Sequence, residues 1–371
     1  MRRRDFLAAA AAPLIGSPAS GAPRATNHGT RHIVLFTSDG VRWQDLFTGI
    51  DALLMNEKEA GMGAESAGHR SSLWKPSLEG RRAALMPFFW KTLVPRGILL
   101  GNLNKGCSMQ VSNRYRVSYP GYSEILTGRA QDDVIKGNDP IRNPTPSFLE
   151  FLKNRSHLRP GQVAVFASWN VFHSIAESRP GDLFINAGYE PCPLPKSSAR
   201  VALLNQMQSE ARYIESTARH DAFTFELAME YLAQVEPEHL YISFDETDDW
   251  AHDKRYDQVL ESLQYFDRAL ERLWSFIGNS AKYRDTTTLV ITADHGRGST
   301  LTDWSRHGAK VPGAEQIWAA FVGPDTPAKG ELSGRPTRYQ RDIAPTILEL
   351  MGVEAGAYAG VQGSPIPEAF A

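Results

Sequence analysis

A doubly wound α/β fold with a largely parallel central sheet is predicted for this chain by three observations. Runs of β-branched and apolar residues recur without alternation, several of them end in acidic or polar residues, and helical stretches stand between them.

The first run is His32-Ile33-Val34-Leu35-Phe36-Thr37, which stops at Ser38-Asp39-Gly40. Continuous apolar character marks a strand buried on both faces, as in a parallel sheet. The same pattern returns at 97–101, 163–168, 240–244, 288–292 and 317–322. The clearest helix follows His252, where Val259, Leu263, Phe266, Leu270, Leu273 and Ile277 recur at steps of four and three. Ligands of such sheets bind outside the carboxyl ends of the strands, which is where the acidic residues fall.

Two stretches fit the alternation poorly. Residues 49–82 are rich in Gly, Ser, Glu and Lys, and residues 177–200 carry Pro180, Pro191, Pro193 and Pro195, so both read as long loops or parts of a cap. They are the expected seat of substrate specificity. The remainder reads as one catalytic domain over 31–367, and 371 residues suffice for a large domain with insertions.

The N-terminus opens Met1-Arg2-Arg3-Arg4-Asp5-Phe6-Leu7, continues through an alanine-rich apolar stretch to Ile15, and passes into small residues and prolines. This is the layout of a secretory signal over 1–25, and the paired arginines before x-Phe-Leu resemble a twin-arginine signal. A periplasmic or secreted protein handled by the twin-arginine machinery is therefore expected. No later apolar run approaches the roughly 20 residues of a membrane span. The net charge of -2 sets up no global field for nucleic acid or an anionic membrane, so anion binding has to be local. An oxidising compartment would permit a disulfide between Cys107 and Cys192, which spacing alone neither requires nor excludes.

The chemistry is carried by a set of residues rather than by any one. In chain order the set is Asp39 after the first strand, Ser118 before a Pro-Gly turn, Asp248 and His252, the adjacent Asp294-His295, and His307. Carboxylates and imidazoles in this proportion suit zinc or manganese; oxygen ligands alone would favour magnesium or calcium. Seven ligands are too many for one ion and suit a pair about 3.5–4 Å apart, the spacing that clamps the attacking and leaving oxygens of an in-line displacement.

Four segments, Thr37-Ser38-Asp39-Gly40, Ser118-Tyr119-Pro120-Gly121 through Leu126-Thr127-Gly128, Glu246 to His252, and Thr292-Ala293-Asp294-His295-Gly296, resemble the alkaline phosphatase superfamily in order and spacing. The nucleotide pyrophosphatase/phosphodiesterase branch is the closest in pattern, and Tyr339 to Leu350 is similar to the C-terminal helix of the superfamily. The resemblance implies that Asp39, Ser118, Asp294 and His295 hold one metal while Asp248, His252 and His307 hold the other. It implies further that Ser118, activated by metal coordination, attacks phosphorus and forms a phosphoseryl intermediate that water hydrolyses. The substrate class would be small phosphorylated molecules, monoesters or diesters.

The branch places its nucleophile before an aromatic-Pro pair, a register that Ser118-Tyr119-Pro120 matches and Ser123 does not. The branch usually has Asn after the Pro, whereas Gly121 stands here, and Asn138 sits one position off the register of a substrate contact. Arg116, Arg129 and Lys136 offer cationic groups for non-bridging oxygens, since Arg binds phosphate bidentately; each reads equally well as a surface charge. His69, His157, His173, His220 and His239 have no partner at ligand spacing, and Asp245, Glu246 and Asp249 read as supports beside the ligands, with Asp245 and Asp249 as the substitutes for Asp248.

Three alternatives compete. A sulfatase of this superfamily needs Cys or Ser within Cys/Ser-x-Pro-x-Arg, and Tyr122 stands where the Arg belongs. A phosphomutase would need a cytoplasmic setting. A binding protein on a degenerate enzyme fold would have lost a ligand, and none is missing.

Overall fold

The computed structural model describes residues 29–194, 198–211 and 217–370, so the export signal expected over 1–25 lies outside the described residues. Its centre is an eight-stranded sheet of β1 (His32–Ser38), β2 (Ile98–Leu100), β4 (Val163–Ala167), β5 (Phe184–Ala187), β6 (His239–Phe244), β7 (Thr287–Thr292), β9 (Ala319–Val322) and β10 (Gly330–Glu331). The order is β10-β2-β9-β7-β1-β6-β4-β5, and every strand runs parallel to β1 except β9. A second sheet of three strands joins β3 (Cys107–Gln110), β8 (Gln316–Ile317) and β11 (Arg335–Tyr339).

Successive residues of the central strands enter different cores. Val34 and Phe36 pack on one face with the helix Tyr256–Asn279, while Ile33 and Leu35 pack on the other with the helices Ser118–Thr127 and Ile343–Leu350. Burial on both faces is why the strands read as unbroken apolar runs. The helix expected after His252 forms over Tyr256–Asn279 and buries all six of its periodic apolar residues. Cys107 and Cys192 belong to the cores on opposite faces, and both are free thiols.

Three expectations need correction. The run 317–322 is not one parallel strand, because Trp318 divides β8 from β9. The Trp318 carbonyl accepts from the Thr292 hydroxyl at 2.6 Å, its indole is fully buried, and the chain leaves one sheet for the other there. Residues 177–200 are not only loop, since they contain the edge strand β5, whose buried Asn186 accepts at Oδ1 from Arg219 at 2.8 Å. Residues 49–82 include the helices Ala67–Leu73 and Leu78–Leu85 besides turns. Among the described residues no helix is long and apolar enough to cross a membrane.

Strands β6, β1 and β7 are neighbours, so the segments that follow them converge at one edge of the sheet. Facing that edge is the N-terminus of the helix Ser118–Thr127. Glu124 anchors this helix: its buried carboxylate accepts from the amides of Ser112, Asn113 and Arg341 at 2.8, 2.8 and 3.1 Å. Gly121 lets the helix approach the sheet, because a Cβ there would lie 2.3 Å from the Asp294 carbonyl oxygen. The glycine that departs from the branch pattern therefore serves the close approach of helix to ligand loop.

One buried carboxyl away from this edge makes stability depend on pH. Asp267 accepts from the amides of Phe88 and Phe89 at 2.9 and 2.7 Å, and burial nevertheless pushes its pKa up to about 6. The folded state thus holds this proton more tightly than the unfolded chain, whose carboxyl titrates near 3.9. The resulting stability is complete below the unfolded pKa and is lost as pH rises through about 6. Asp267→Asn is expected to flatten the pH dependence of unfolding between about pH 4 and 6.5, by on the order of 2 kcal/mol. Urea melts across that range check it, and parallel profiles for parent and variant would refute it.

Candidate metal centre

The loop after β1 places Asp39, the loop after β7 places Asp294 and His295, and the helix Glu246–His252 after β6 places Asp248 and His252. Asp39 is tied to β6 by its own amide, which donates to the Phe244 carbonyl at 3.0 Å, and to the helix Glu246–His252 by its carbonyl, which accepts from the Thr247 hydroxyl at 2.5 Å. Asp294 Oδ1 accepts the Gly40 amide at 2.9 Å, and the Gln340 amide group donates to the Asp294 carbonyl at 2.7 Å. These bonds fix the loops without using the metal-facing atoms.

His295 is the hub. Its Nδ1 lies 3.0 Å from the Gly296 carbonyl, so a proton there leaves the Nε2 lone pair facing inward. From Nε2, Asp39 Oδ1 is 3.3 Å away, Asp294 Oδ2 3.5 Å and Asp248 Oδ1 3.7 Å. The Ser118 hydroxyl stands 3.4 Å from the same nitrogen and 3.5 Å from Asp39 Oδ1. His307 stacks on His295 with ring centroids 3.9 Å apart, and His307 Nδ1 is 3.2 Å from the Arg116 carbonyl. That contact turns His307 Nε2 toward His252 Nε2, 2.9 Å away, and His252 Nε2 is 3.1 Å from Asp248 Oδ2.

All seven candidate ligands are thus brought together. Two sets have every ligand atom within 4.8 Å of the others and could each hold a cation: Asp39, Asp294 and His295, and Asp248, His295 and His307. His295 belongs to both, whereas the ligand division drawn from the resemblance assigns it to one; His252 lies at the outer edge of the second set and is half exposed.

The electrostatics call for cations. Asp294 is fully buried and its Oδ2 has no hydrogen-bond partner, an expensive arrangement for a carboxylate. Burial, with the charge of Asp39, pushes the Asp294 pKa up to about 8. Burial opposes charge on His295, but Asp294 and Asp39 outweigh it and push its pKa up to about 9. Burial, then the neighbouring His295 and Arg297, holds His307 far below the ordinary imidazole value, and burial with His295 lowers His252 as well. Burial and the charge of Asp249 drive Asp245 upward too. His307 and His252, held neutral, and the buried carboxylates of Asp39 and Asp294 are a donor set suited to divalent metal.

The three residues considered for substrate contact separate. Asn138 Oδ1 accepts the Tyr119 amide at 3.0 Å, which puts its amide group at the first turn of the helix Ser118–Thr127. Arg116 points its guanidinium to Glu315 at 2.8 Å, so its service to the site is the carbonyl that orients His307. Arg129 follows the far end of the ten-residue helix, roughly 15 Å from Ser118, beside Gly360 and Tyr358. It is therefore no substrate contact. His69, His173 and His220 pair with Glu261, Glu190 and Glu246 instead of joining the cluster.

Sequence reasoning missed Arg297. Fully buried, it donates to the Gly40 carbonyl at 3.2 Å and the Ser305 carbonyl at 2.8 Å, and its Nη2 contacts Asp248 Oδ1. Gly40, at φ 59°, leaves the space, since a Cβ there would come within 2.9 Å of Arg297 and 2.7 Å of Asp248. The only sequence signal was an arginine between Gly296 and Gly298 just beyond a ligand pair.

Carboxylates and imidazoles gather round a hydroxyl at the carboxyl ends of a mostly parallel sheet, an arrangement that can hold divalent metal. Residues 212–355 match the model of the Metalloenzyme superfamily. The chain has the fold of the alkaline phosphatase superfamily, as three solved structures illustrate. Wild-type alkaline phosphatase PafA superposes with a TM-score of 0.59 at 10% identity, over 94% of this chain and 100% of that one. The phosphonate monoester hydrolase of Agrobacterium radiobacter gives 0.52 at 14% identity, over 91% and 78%. A 2-O GAG sulfatase gives 0.53 at 13% identity, over 91% and 73%. No curated protein matches the chain by sequence.

Proposed function

We propose that the chain is a metal-dependent hydrolase of phosphate esters in which Ser118 is the nucleophile. One cation would be held by Asp39, Ser118, Asp294 and His295 and a second by Asp248, His252 and His307, with zinc the best match to the donors and manganese next. The observation that carries this reading is the Ser118 hydroxyl, 3.4 Å from His295 Nε2 and 3.5 Å from Asp39 Oδ1, at the start of a helix aimed at the cluster.

When bound, such cations supply positive charge that lowers the pKa of a coordinated hydroxyl and offsets charge on the phosphoryl oxygens. The positive end of the helix Ser118–Thr127 favours the alkoxide that Ser118 must become. Ser118 Oγ attacks phosphorus as the ester oxygen departs, and water then cleaves the phosphoseryl bond and restores the hydroxyl. Asn138 is the substrate-contacting residue of this proposal, because its amide group lies one residue from the nucleophile. The Ser118 register favours diesters over monoesters, and export to the periplasm through residues 1–25 is part of the same reading.

The sulfatase alternative loses support at Tyr122. Its hydroxyl donates to Asp39 Oδ2 at 3.0 Å, so the position of the required arginine is taken by a buried residue that orients a metal-facing carboxylate.

The test is turnover of bis-p-nitrophenyl phosphate and p-nitrophenyl phosphate by protein of measured metal content. Turnover of at least one is expected, falling by at least about 10³-fold after complete chelation and returning with zinc or manganese. Two bound metals with no turnover of either compound would favour a binding protein, and turnover that survives complete metal removal would refute the mechanism.

A further inference from the structure

Two residues before Ser118 the backbone takes a turn that most side chains resist. Arg116 has φ at 52°, where Cβ crowds the backbone, and a residue other than glycine persists there only when its surroundings hold it. Arg116 is held twice. Its amide donates to Asn113 Oδ1 at 2.8 Å, and its guanidinium meets Glu315 at 2.8 Å. Asn113 is itself fixed: it is 2% exposed, and its own amide and its Nδ2 donate to Glu124 Oε2 at 2.8 and 2.9 Å. Glu124 belongs to the helix Ser118–Thr127.

What the turn decides is the direction of one carbonyl. The Arg116 carbonyl lies 3.2 Å from His307 Nδ1. A carbonyl only accepts, so the His307 proton sits on Nδ1 and the Nε2 lone pair is left for a cation. Glu124, Asn113, Arg116 and His307 thus form one tie, each link a hydrogen bond, from the helix that begins with Ser118 to the ligand set Asp248, His295 and His307. The Glu315 pair is partly exposed at both ends and holds the turn less firmly than the buried Asn113.

We propose, on the two-cation reading above, that Asn113 is a positioning residue of the centre. By holding the left-handed turn at Arg116 it keeps the Arg116 carbonyl on His307, and so sets how tightly the second cation is bound. Without Asn113 Oδ1 the Arg116 amide loses its acceptor and the strained turn relaxes. The carbonyl then leaves His307 Nδ1, and the ring proton is free to move to Nε2, the nitrogen a cation needs bare.

Calorimetric titration of metal-free protein with zinc reads this without any turnover. The second site is the binding event that His307→Ala removes. Asn113→Ala should weaken that event by about tenfold or more and leave the first event unchanged. The variant should fold, because Glu124 keeps the amides of Ser112, Asn113 and Arg341 and the Ser112 hydroxyl. Ser112→Ala takes a donor at 2.6 Å from the same carboxylate without touching Arg116, so both zinc events should stay at the parent values. Arg116→Val and Arg116→Gly test the turn at a partly exposed position, and they decide the matter if Asn113→Ala does not fold. Both lose the guanidinium, but valine resists a positive φ and glycine accepts it. Second-site affinity should therefore fall with the first and hold with the second, and adding Arg116→Gly to Asn113→Ala should restore most of the loss. In metal-free parent the nitrogen-15 shifts of His307 should place the proton on Nδ1, and in Asn113→Ala and Arg116→Val they should show mixed tautomers. Parent-like zinc binding in Asn113→Ala, an equal loss in Ser112→Ala, or equal affinities in the two Arg116 variants would overturn the assignment. A parent that binds no zinc would overturn the two-cation reading and this assignment together, whereas two zinc events without ester turnover would overturn the hydrolase alone.

Discussion

Ser118→Ala is expected to lower kcat for phosphate esters by at least about 10³-fold, in line with removal of a nucleophile whose partners act as a unit. The loss should come without unfolding. Ser118 donates no bond that supports the fold, since its hydroxyl contacts only His295 and Asp39, and its helix is anchored through Glu124, Gly121 and the Asn138 side chain. The melting temperature should therefore stay near that of the parent. Acid-quenched parent enzyme should carry phosphoryl on Ser118, found by mass spectrometry of the corresponding peptide. A variant that keeps more than about a tenth of the parent kcat would sink the nucleophile assignment. Phosphoryl found on Ser123 would do the same, and it is disfavoured because Ser123 sits mid-helix, buried, with its oxygen accepting from Gln131 at 2.7 Å and Asn143 at 3.2 Å.

The difference between Ser118 and Ser123 shows what could be read in advance. Strands β1, β6 and β7 are buried on both faces, and continuous burial writes a continuous apolar run, so the three central strands and the polar residues that end them were visible. The helix Tyr256–Asn279 was visible for the complementary reason, one apolar face against one solvated face. Edge elements write weaker patterns. Strand β5 is four residues long with two of them half-buried, and it lies in a proline-rich stretch that local composition marks as loop. The division at Trp318 depends on what its carbonyl meets, the Thr292 hydroxyl, and no local property of residues 317–322 encodes that partner.

The same limit applied to charged side chains. Arg116, Arg129 and Arg297 are alike as residue types, but one pairs with Glu315, one lies at the far end of the helix Ser118–Thr127, and one reaches Asp248. Side-chain direction is set by tertiary neighbours, which is why the polar residues at strand ends were legible while the arginine that holds Asp248 was not.

Arg297→Met should produce the largest stability change of any single substitution near the centre. The guanidinium serves four acceptors at once, the Asp248 carboxylate and the carbonyls of Gly40, Asp248 and Ser305, and it does so fully buried, with burial lowering its own pKa to about 10. Removing one partner of a buried pair leaves an uncompensated charge and costs about 3–5 kcal/mol; here three carbonyls lose a donor besides. Arg297→Lys should recover little, since a single ammonium cannot span the fork of four acceptors. The informative quantity is the dependence on metal. If Asp248 is a ligand, a bound cation compensates the carboxylate that the missing guanidinium abandons, and ligand binding to the folded state adds stability by mass action. The fall in melting temperature on Arg297→Met should then be clearly larger in chelated protein than at saturating zinc, as read by calorimetry of both forms. Equal falls in the two forms would mean that Asp248 answers to the arginine alone and that the second half of the centre has been misassigned.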